Sequence, residues 1–141
     1  MITVKKHTRL IAIKKSLPLF EKLYPKKTKK EIIAGLKTLI KQHKYCLLVA
    51  YKNNEPVGIT GITIGYLLYV DKFLRVSNLY IDPNHRNEGT AQLLMSEAEK
   101  IAKQKKCTQI VLDSYVVNRD SHKTYLKENF AIEAYHFIKR L

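Results

Sequence analysis

Cysteine, acidic residues and long apolar runs are all scarce in this 141-residue sequence. The two cysteines, Cys46 and Cys107, form neither a Cys-x-x-Cys pair nor a Cys/His cluster, which argues against a redox motif or a zinc site. We expect both to be buried free thiols. The five histidines are scattered without the spacing of metal ligands, so the sequence predicts no metal.

No apolar run is long enough for a membrane span. The run Cys46 to Tyr51 has six residues, whereas roughly 20 are needed to cross a bilayer. The N-terminal residues also lack the apolar segment of a signal peptide. We therefore expect a cytoplasmic protein with no membrane partner.

Most of the charged side chains are positive. Lys and Arg number 26 against 12 Asp and Glu, which gives a formal net charge of +14. Such a charge attracts nucleic acid, acidic membranes, acidic proteins and polyphosphates alike, and a merely solvated basic surface also explains it. The length and the 45% hydrophobic content predict one globular domain, residues 1–141.

The first half of the chain predicts a strand, helices and then an antiparallel meander. A short strand at 1–5 precedes a helix over 8–24 that kinks or restarts at Pro18, with Ser16 as its cap. A capping box, Thr28 with Glu31, opens a helix that runs to about residue 43. The strands that follow are 45–51, 57–70 and 73–81, joined by turns at 53–56 and at Asp71-Lys72.

The second half predicts a βαβ unit and two final elements. The helix after Gly89 has a clear apolar face, made by Ala91, Leu94, Met95, Ala98, Ile101 and Ala102. A strand at 108–112 follows it, which implies a right-handed parallel crossover. A helix over 118–128 and a strand over 130–139 complete a mixed α/β fold, with helices on both faces of the sheet.

The stretch that joins strand 73–81 to the next helix is suited to an anion. Asp82-Pro83-Asn84 is turn chemistry, and the first N–H groups of a helix have no partner within the helix. Residues Arg86 to Ala91 can therefore surround a phosphate with backbone donors, since the helix dipole is positive there. Gly89 permits close approach and Arg86 adds a charge.

These residues resemble the GNAT superfamily of N-acetyltransferases. Its pyrophosphate signature, Arg or Gln, two residues, Gly, one residue, Gly or Ala, corresponds here to Arg86-Asn87-Glu88-Gly89-Thr90-Ala91. The alternative is an ordinary strand-to-helix turn. The resemblance implies a GNAT-type acyl-CoA N-acyltransferase fold, in which these six residues bind acetyl-CoA.

A second segment also resembles this family. Members often carry Asn, then Ala three residues later, Tyr four after that, and then Gly-Phe. The matching positions are Asn118, Ser121, Tyr125 and Asn129-Phe130, so that Ser121 replaces Ala and Asn129 replaces Gly. The second change is mild, because Asn tolerates the left-handed conformation that a helix C-terminus needs.

The resemblance assigns roles in acetyl transfer. It implies that backbone N–H groups of Leu79, Tyr80 and Ile81 polarise the thioester, in a strand that splays from its parallel neighbour, and that Asn118 and Ser121 line the cofactor site. Tyr125, with an ordinary pKa near 10, is the expected general acid for the departing thiolate. The alternative is that Tyr125 is a core aromatic.

The general base is harder to assign. Many relatives place Glu or Asp at the position of Asn78, which cannot accept a proton. Ordered waters or Asp113 must then serve, or the amine binds neutral. Asp113 could also hold a cationic amine, although Asp113-Ser114 could equally be the start of a loop.

The sequence thus predicts an acetyl-CoA-dependent N-acetyltransferase that acts on a primary amine, whether a small amine, a peptide N-terminus or a protein lysine. Asn78 motivates one alternative, an inactive acyl-CoA-binding sensor or partner module. The lysines motivate another, a nucleic-acid-binding protein, but the Lys-rich runs lack interleaved aromatic residues, which argues against it. A homodimer is compatible with the resemblance, and no sequence feature demands one.

Overall fold

The computed structural model describes residues 1–141, which divide into two compact units, Met1–Val111 and Leu112–Leu141. The first unit holds five strands and four α-helices, and the second holds one helix. The strands are β1 (Ile2–His7), β2 (Cys46–Lys52), β3 (Glu55–Leu67), β4 (Asp71–Ile81) and β5 (Gln109–Val111). The helices are α1 (Leu10–Ile13), α2 (Leu17–Leu23), α3 (Lys29–His43), α4 (Thr90–Gln104) and α5 (Arg119–Lys127).

The strands form one mixed sheet in the order β1-β2-β3-β4-β5, in which β5 is parallel to β4 and the other pairs are antiparallel. This confirms the predicted meander followed by a βαβ crossover. Asn53 and Asn54, with φ of 50° and 64°, turn the β2–β3 hairpin as expected. The second turn was placed wrongly. It occupies residues 68–70, and Asp71, at φ 66°, closes it as the first residue of β4.

Helices pack on both faces of the sheet, as predicted. Ile59 of β3 belongs to the core that α1, α2 and α3 cover. A Cβ built on the adjacent Gly58 would lie 3.0 Å from Thr90 Cγ2 of α4, and successive residues of a strand point to opposite faces. The predicted face of α4 is buried except at Ala91, whose place is taken by Thr90.

The helical segment before α3 restarts as predicted, but Ser16 is not its cap. A short 3₁₀ turn, Lys14–Ser16, separates α1 from α2, and Pro18 lies in the first turn of α2. The Ser16 hydroxyl does not cap α2, because it is buried without a hydrogen-bond partner. The capping box of α3 is confirmed. The backbone N–H of Glu31 donates to Thr28 Oγ1 over 3.1 Å, and the N–H of Thr28 donates to Glu31 Oε2 over 2.7 Å.

In the second unit, α5 ends as expected but no strand follows. Asn129 has φ 66°, its N–H donates to the Leu126 carbonyl, and the Phe130 N–H donates to the Tyr125 carbonyl. This pattern is a Schellman motif, in which Asn129 takes the place of the usual glycine. The strand predicted over 130–139 is wrong, since these residues are irregular. Their alternating apolar pattern indicates a strand only where a neighbouring backbone edge pairs with it.

The two cysteines are less buried than expected. Cys46 and Cys107 are free thiols as expected, but each is only partly buried. No group of three or more His, Cys, Asp or Glu side chains is placed to hold a metal ion. None of the helices combines the length and apolar character that crossing a membrane requires.

Candidate functional site

A β-bulge distorts β4 where the thioester-polarising residues were predicted. Ile59 pairs with Tyr80 and Gly61 pairs with Ser77, so β4 places two residues, Asn78 and Leu79, opposite a single residue of β3. Asn78 has φ 55°, in the left-handed region that Asn tolerates. The bulge therefore redirects the backbone just before Leu79, Tyr80 and Ile81.

The strand β4 is open along one edge beyond its first residues. Its pairing with β5 joins Phe73, Leu74 and Arg75 to residues 109–111 and then stops, whereas β4 continues to Ile81. From Val76 onward β4 has no neighbouring strand on that side. The pairing stops where β5 ends, at Val111, so the expected splay stays a prediction. An unpaired strand edge can hydrogen-bond an extended ligand.

The Asn78 side chain lies at the centre of a hydrogen-bond chain. Its Oδ1 accepts from the Tyr45 hydroxyl over 2.9 Å and from the Ser77 hydroxyl over 3.2 Å, and its Nδ2 donates to the Tyr24 hydroxyl. Burial raises the pKa of Tyr45, which keeps its hydroxyl protonated. A Cβ on Gly61 would lie 2.6 Å from Asn78 Oδ1, so the glycine makes room for this arrangement.

The turn after β4 is held by Asp82. Its Oδ1 accepts from the Asn84 N–H over 3.0 Å, and its Oδ2 lies 2.7 Å from the Lys22 ammonium of α2. The hydrogen bond from Lys22 lowers the pKa of Asp82, and the Asn84 N–H lowers it further. Asp82 therefore ties α2 to the start of the predicted phosphate turn, which comprises residues 86–91.

The backbone of the predicted phosphate turn can hold an anion. Asn87 and Gly89 both have positive φ, 61° and 77°, and α4 begins directly after Gly89. No side chain caps α4, and its first turn contains no acidic residue. The first N–H groups of α4 are therefore available to an anion. The space beside Gly89 is open, since a Cβ there would meet no atom within 4 Å.

The charged side chains of this turn have partners of their own. Arg86 Nε donates to the Ile81 carbonyl over 3.3 Å, and its guanidinium lies over the Tyr80 ring. The Glu88 carboxylate lies 3.0 Å from the Lys52 ammonium, and this hydrogen bond lowers the pKa of Glu88. Because Lys52 offsets the charge of Glu88, that carboxylate is not an isolated negative charge beside the open N–H groups.

The second unit holds the other predicted residues. Asn118 lies at the N-terminus of α5 without capping it through its side chain. Ser121 and Tyr125 lie one turn apart on α5, hence on one side of the helix. Tyr125 is half-buried, packs edge-on against Phe130, and burial raises the pKa of its hydroxyl.

Asp113 lies outside regular structure, just after β5. Its carboxylate Oδ2 is 3.4 Å from His136 Nδ1, and both side chains are more than half exposed. The first unit therefore brings Asn78, residues 79–81 and residues 86–91 to one end of β4, and the second carries Asp113, Asn118, Ser121 and Tyr125.

Sequence reasoning missed two residues of the first unit, Tyr24 and Tyr45. Tyr24 follows the last turn of α2 and Tyr45 precedes β2, and nothing in their local sequence indicates that both contact Asn78. Only the packing of α2 against the sheet brings them together.

Comparison with known proteins identifies the fold. The chain aligns over its full length with a ribosomal-protein-alanine N-acetyltransferase from Brucella melitensis biovar Abortus 2308, with 17% identity, 99% of that chain covered and a TM-score of 0.84. It also aligns over its full length with the aminoglycoside N-acetyltransferase AAC(6')-Iy in complex with CoA, with 17% identity, 95% of that chain covered and a TM-score of 0.83.

A transcriptional regulator from Bacillus halodurans C-125 is similar too, with 17% identity, a TM-score of 0.85 and both chains fully covered. No curated protein matches the sequence. At these identities the structural likeness concerns the fold alone. The family assignment comes from the sequence, because the model of the acetyltransferase (GNAT) family matches residues 12–130. The chain therefore belongs to the GNAT family of acetyltransferases.

Proposed function

We propose that this chain transfers the acetyl group of acetyl-CoA to a primary amine. The observation that carries the proposal is the uncapped start of α4, where the open, left-handed Gly89 adjoins N–H groups that an anion can occupy. The pyrophosphate of acetyl-CoA has the charge and size that such a turn binds. When bound, acetyl-CoA supplies an activated thioester.

In this proposal the backbone of the first unit holds and activates the co-substrate. N–H groups of Arg86, Asn87, Glu88, Gly89, Thr90 and Ala91 bind the pyrophosphate. N–H groups of Leu79, Tyr80 and Ile81, beyond the bulge, donate to the thioester oxygen and stabilise the negative charge that develops there. The open edge of β4 supports this role, since no neighbouring strand occupies it.

Tyr125 is the proposed general acid, and Asn118 and Ser121 are proposed contacts of acetyl-CoA. Burial raises the pKa of Tyr125, so its hydroxyl retains a proton at neutral pH for a departing thiolate. The packing of Tyr125 against Phe130 also fits a purely structural residue, and substitution distinguishes the two roles.

The general base and the acceptor amine are proposed from the second unit and from similar structures. Asp113 is a proposed base or amine-binding group, and its carboxylate lies beside His136 Nδ1. Similar structures carry names that refer to a ribosomal-protein alanine and to an aminoglycoside, so the fold leaves small amines, peptide N-termini and protein lysines as candidate acceptors. Because the family match crosses the boundary at Val111, it supports one domain over residues 1–141.

The first experiment is a calorimetric titration of acetyl-CoA into the wild type, Gly89→Asp and Gly89→Asn. Asp and Asn both tolerate positive φ and have nearly the same size, so the pair differs mainly in charge. We expect saturable binding that weakens at least about tenfold more in Gly89→Asp than in Gly89→Asn, because the carboxylate repels the pyrophosphate. Equal affinities for the three proteins, or no binding by the wild type, would remove acetyl-CoA from this turn.

A second candidate function is favoured by one observation, the absence of a carboxylate at position 78. The chain would then bind acyl-CoA without transferring the acyl group, as a sensor or a partner module. That function predicts acetyl-CoA binding with no turnover of any amine.

A further inference from the structure

The hydrogen-bond chain through Asn78 assigns a role to a tyrosine that the proposed function leaves unused. We propose that the Tyr24 hydroxyl contacts the acceptor amine and relays its proton to solvent, with Asn78 and Tyr45 as positioning residues. This inference rests on the proposed acetyl transfer. It deepens that function by giving the site a proton route that needs no carboxylate, because the amine proton passes through an uncharged hydroxyl.

The direction of the hydrogen bonds supports this role. Asn78 Oδ1 already accepts from two hydroxyls, those of Tyr45 and Ser77, and this arrangement turns the Asn78 NH₂ towards Tyr24. The Tyr24 oxygen accepts that N–H, which leaves one lone pair and its own proton unused. It can therefore accept from an amine while donating to water.

The position of the hydrogen-bond chain also supports the role of Tyr24. Asn78 occupies the bulge directly before residues 79–81, where the thioester oxygen is proposed to bind. Tyr45 is fully buried and anchors one end of the chain, whereas Tyr24 is only partly buried and provides the solvent-accessible end. The Lys22–Asp82 ion pair, two residues before Tyr24, holds that end of α2 against the turn after β4.

The proton step conserves atoms and charge. The ammonium N–H bond breaks as its proton passes to Tyr24 Oη, and the O–H proton of Tyr24 passes at the same time to water. The amine is left neutral with a free electron pair, Tyr24 is again a phenol, and solvent carries the proton. The neutral amine can then attack the thioester.

The test compares two amine probes in the wild type and Tyr24→Phe. Butylamine is protonated at neutral pH, whereas trifluoroethylamine is largely neutral and has no proton to relay before attack. We expect Tyr24→Phe to lower kcat with butylamine about 100-fold and to lower it with trifluoroethylamine less than about threefold. The affinity for acetyl-CoA, measured by calorimetry, should be unchanged. The control is Tyr66→Phe, which removes an exposed hydroxyl that donates to Asp71 at the far end of β3.

A second variant separates proton relay from structural support. In Tyr24→Phe/Asn78→Asp, the new carboxylate can accept from the Tyr45 and Ser77 hydroxyls and can take the amine proton directly. We expect it to restore butylamine turnover at least about tenfold over Tyr24→Phe. Equal losses with both amines, or no restoration, would overturn the relay while leaving acetyl transfer intact. A wild type that binds acetyl-CoA but acetylates neither amine, nor a peptide with a free N-terminus and a lysine, would overturn the proposed function, and the relay with it.

Discussion

At the residue scale, Asn78 meets two requirements at once. Its backbone adopts the left-handed conformation of the β4 bulge, which most side chains disfavour. Its amide joins three hydroxyls, from Tyr24, Tyr45 and Ser77. A carboxylate at this position would supply a base but could not donate to Tyr24. The asparagine therefore changes which groups near the bulge can move a proton.

Gly61→Ala tests whether that cluster needs the close approach of β3. The new methyl group would lie 2.6 Å from Asn78 Oδ1 and against the Tyr45 ring, so one of them must shift. We expect the free energy of unfolding to fall by about 1–3 kcal/mol in urea titrations. Gly35→Ala is the matched control, because Gly35 lies in α3 with nothing within 4 Å of its Cβ position. Gly35→Ala should raise the free energy of unfolding by about 0.5–1 kcal/mol. A Gly61→Ala protein as stable as Gly35→Ala would contradict the idea that Asn78 and Tyr45 need the close approach of β3.

Tyr125→Phe tests the general acid. The ring and its contact with Phe130 are kept, so the thermal midpoint should hold while kcat falls about 100-fold or more in a thiol-release assay. Burial raises the Tyr125 pKa above its ordinary 10.0, so the Tyr125 hydroxyl of the wild type should stay protonated below pH 10.0. Loss of this acid should therefore not lower kcat in that range. Tyr135→Phe, at an exposed position of the same unit, is the control. Unchanged turnover would make Tyr125 a packing residue.

At the element scale, the turn between β4 and α4 depends on a contact with α2. Asp82 accepts from Lys22 and from the Asn84 N–H, and so joins a helix and a turn that lie 60 residues apart in sequence. The same turn leads into the open start of α4. A change in Asp82 should therefore affect both folding and the proposed phosphate turn.

Asp82→Asn isolates the charge of that contact, because Asn can still accept from the Asn84 N–H. The folded-state pKa of Asp82 is below its ordinary 3.8, so its contribution is present above that value and is lost as the pH falls through the folded-state pKa. We expect the thermal midpoint of Asp82→Asn to lie about 1–3 °C below that of the wild type at pH 7. The difference is small because solvent screens the ion pair. The difference should narrow below about pH 4. A difference that persists undiminished at pH 3 would contradict this origin.

At the scale of the whole molecule, the net charge of +14 is the least specific feature. It attracts acetyl-CoA and nucleic acid alike, but the two should respond differently to salt. A site built from N–H groups at one turn keeps much of its affinity when long-range fields are screened, whereas a purely electrostatic surface does not.

Titrations at 50 and 200 mM NaCl distinguish the two ligands. We expect acetyl-CoA affinity to fall less than about tenfold over this range. Binding of a duplex DNA of arbitrary sequence should fall by about 10³-fold or become undetectable, as counterion release requires. DNA binding that survives 200 mM NaCl, with acetyl-CoA binding that does not, would favour the nucleic-acid function.

The sequence by itself determined the elements whose signals are local. The Thr28–Glu31 capping box, the Asn53-Asn54 turn and the apolar face of α4 each depend on residues within a few turns. They were predicted correctly, except that Thr90 and not Ala91 is buried in α4. The Asn129 cap followed from the same kind of signal, because a left-handed residue is recognisable from its side chain. The family signature is also local, so six residues were enough to propose a phosphate turn.

Only the tertiary structure decided which distant residues meet. Tyr24 and Tyr45 lie 54 and 33 residues from Asn78, and no pattern near either one encodes that contact. The Asp71-Lys72 turn and the strand at 130–139 failed for a related reason, since pairing partners determine where a strand starts and whether it forms. Local sequence sets backbone preference over a few residues, whereas the polar cluster at the bulge exists because α2 and the sheet share one core.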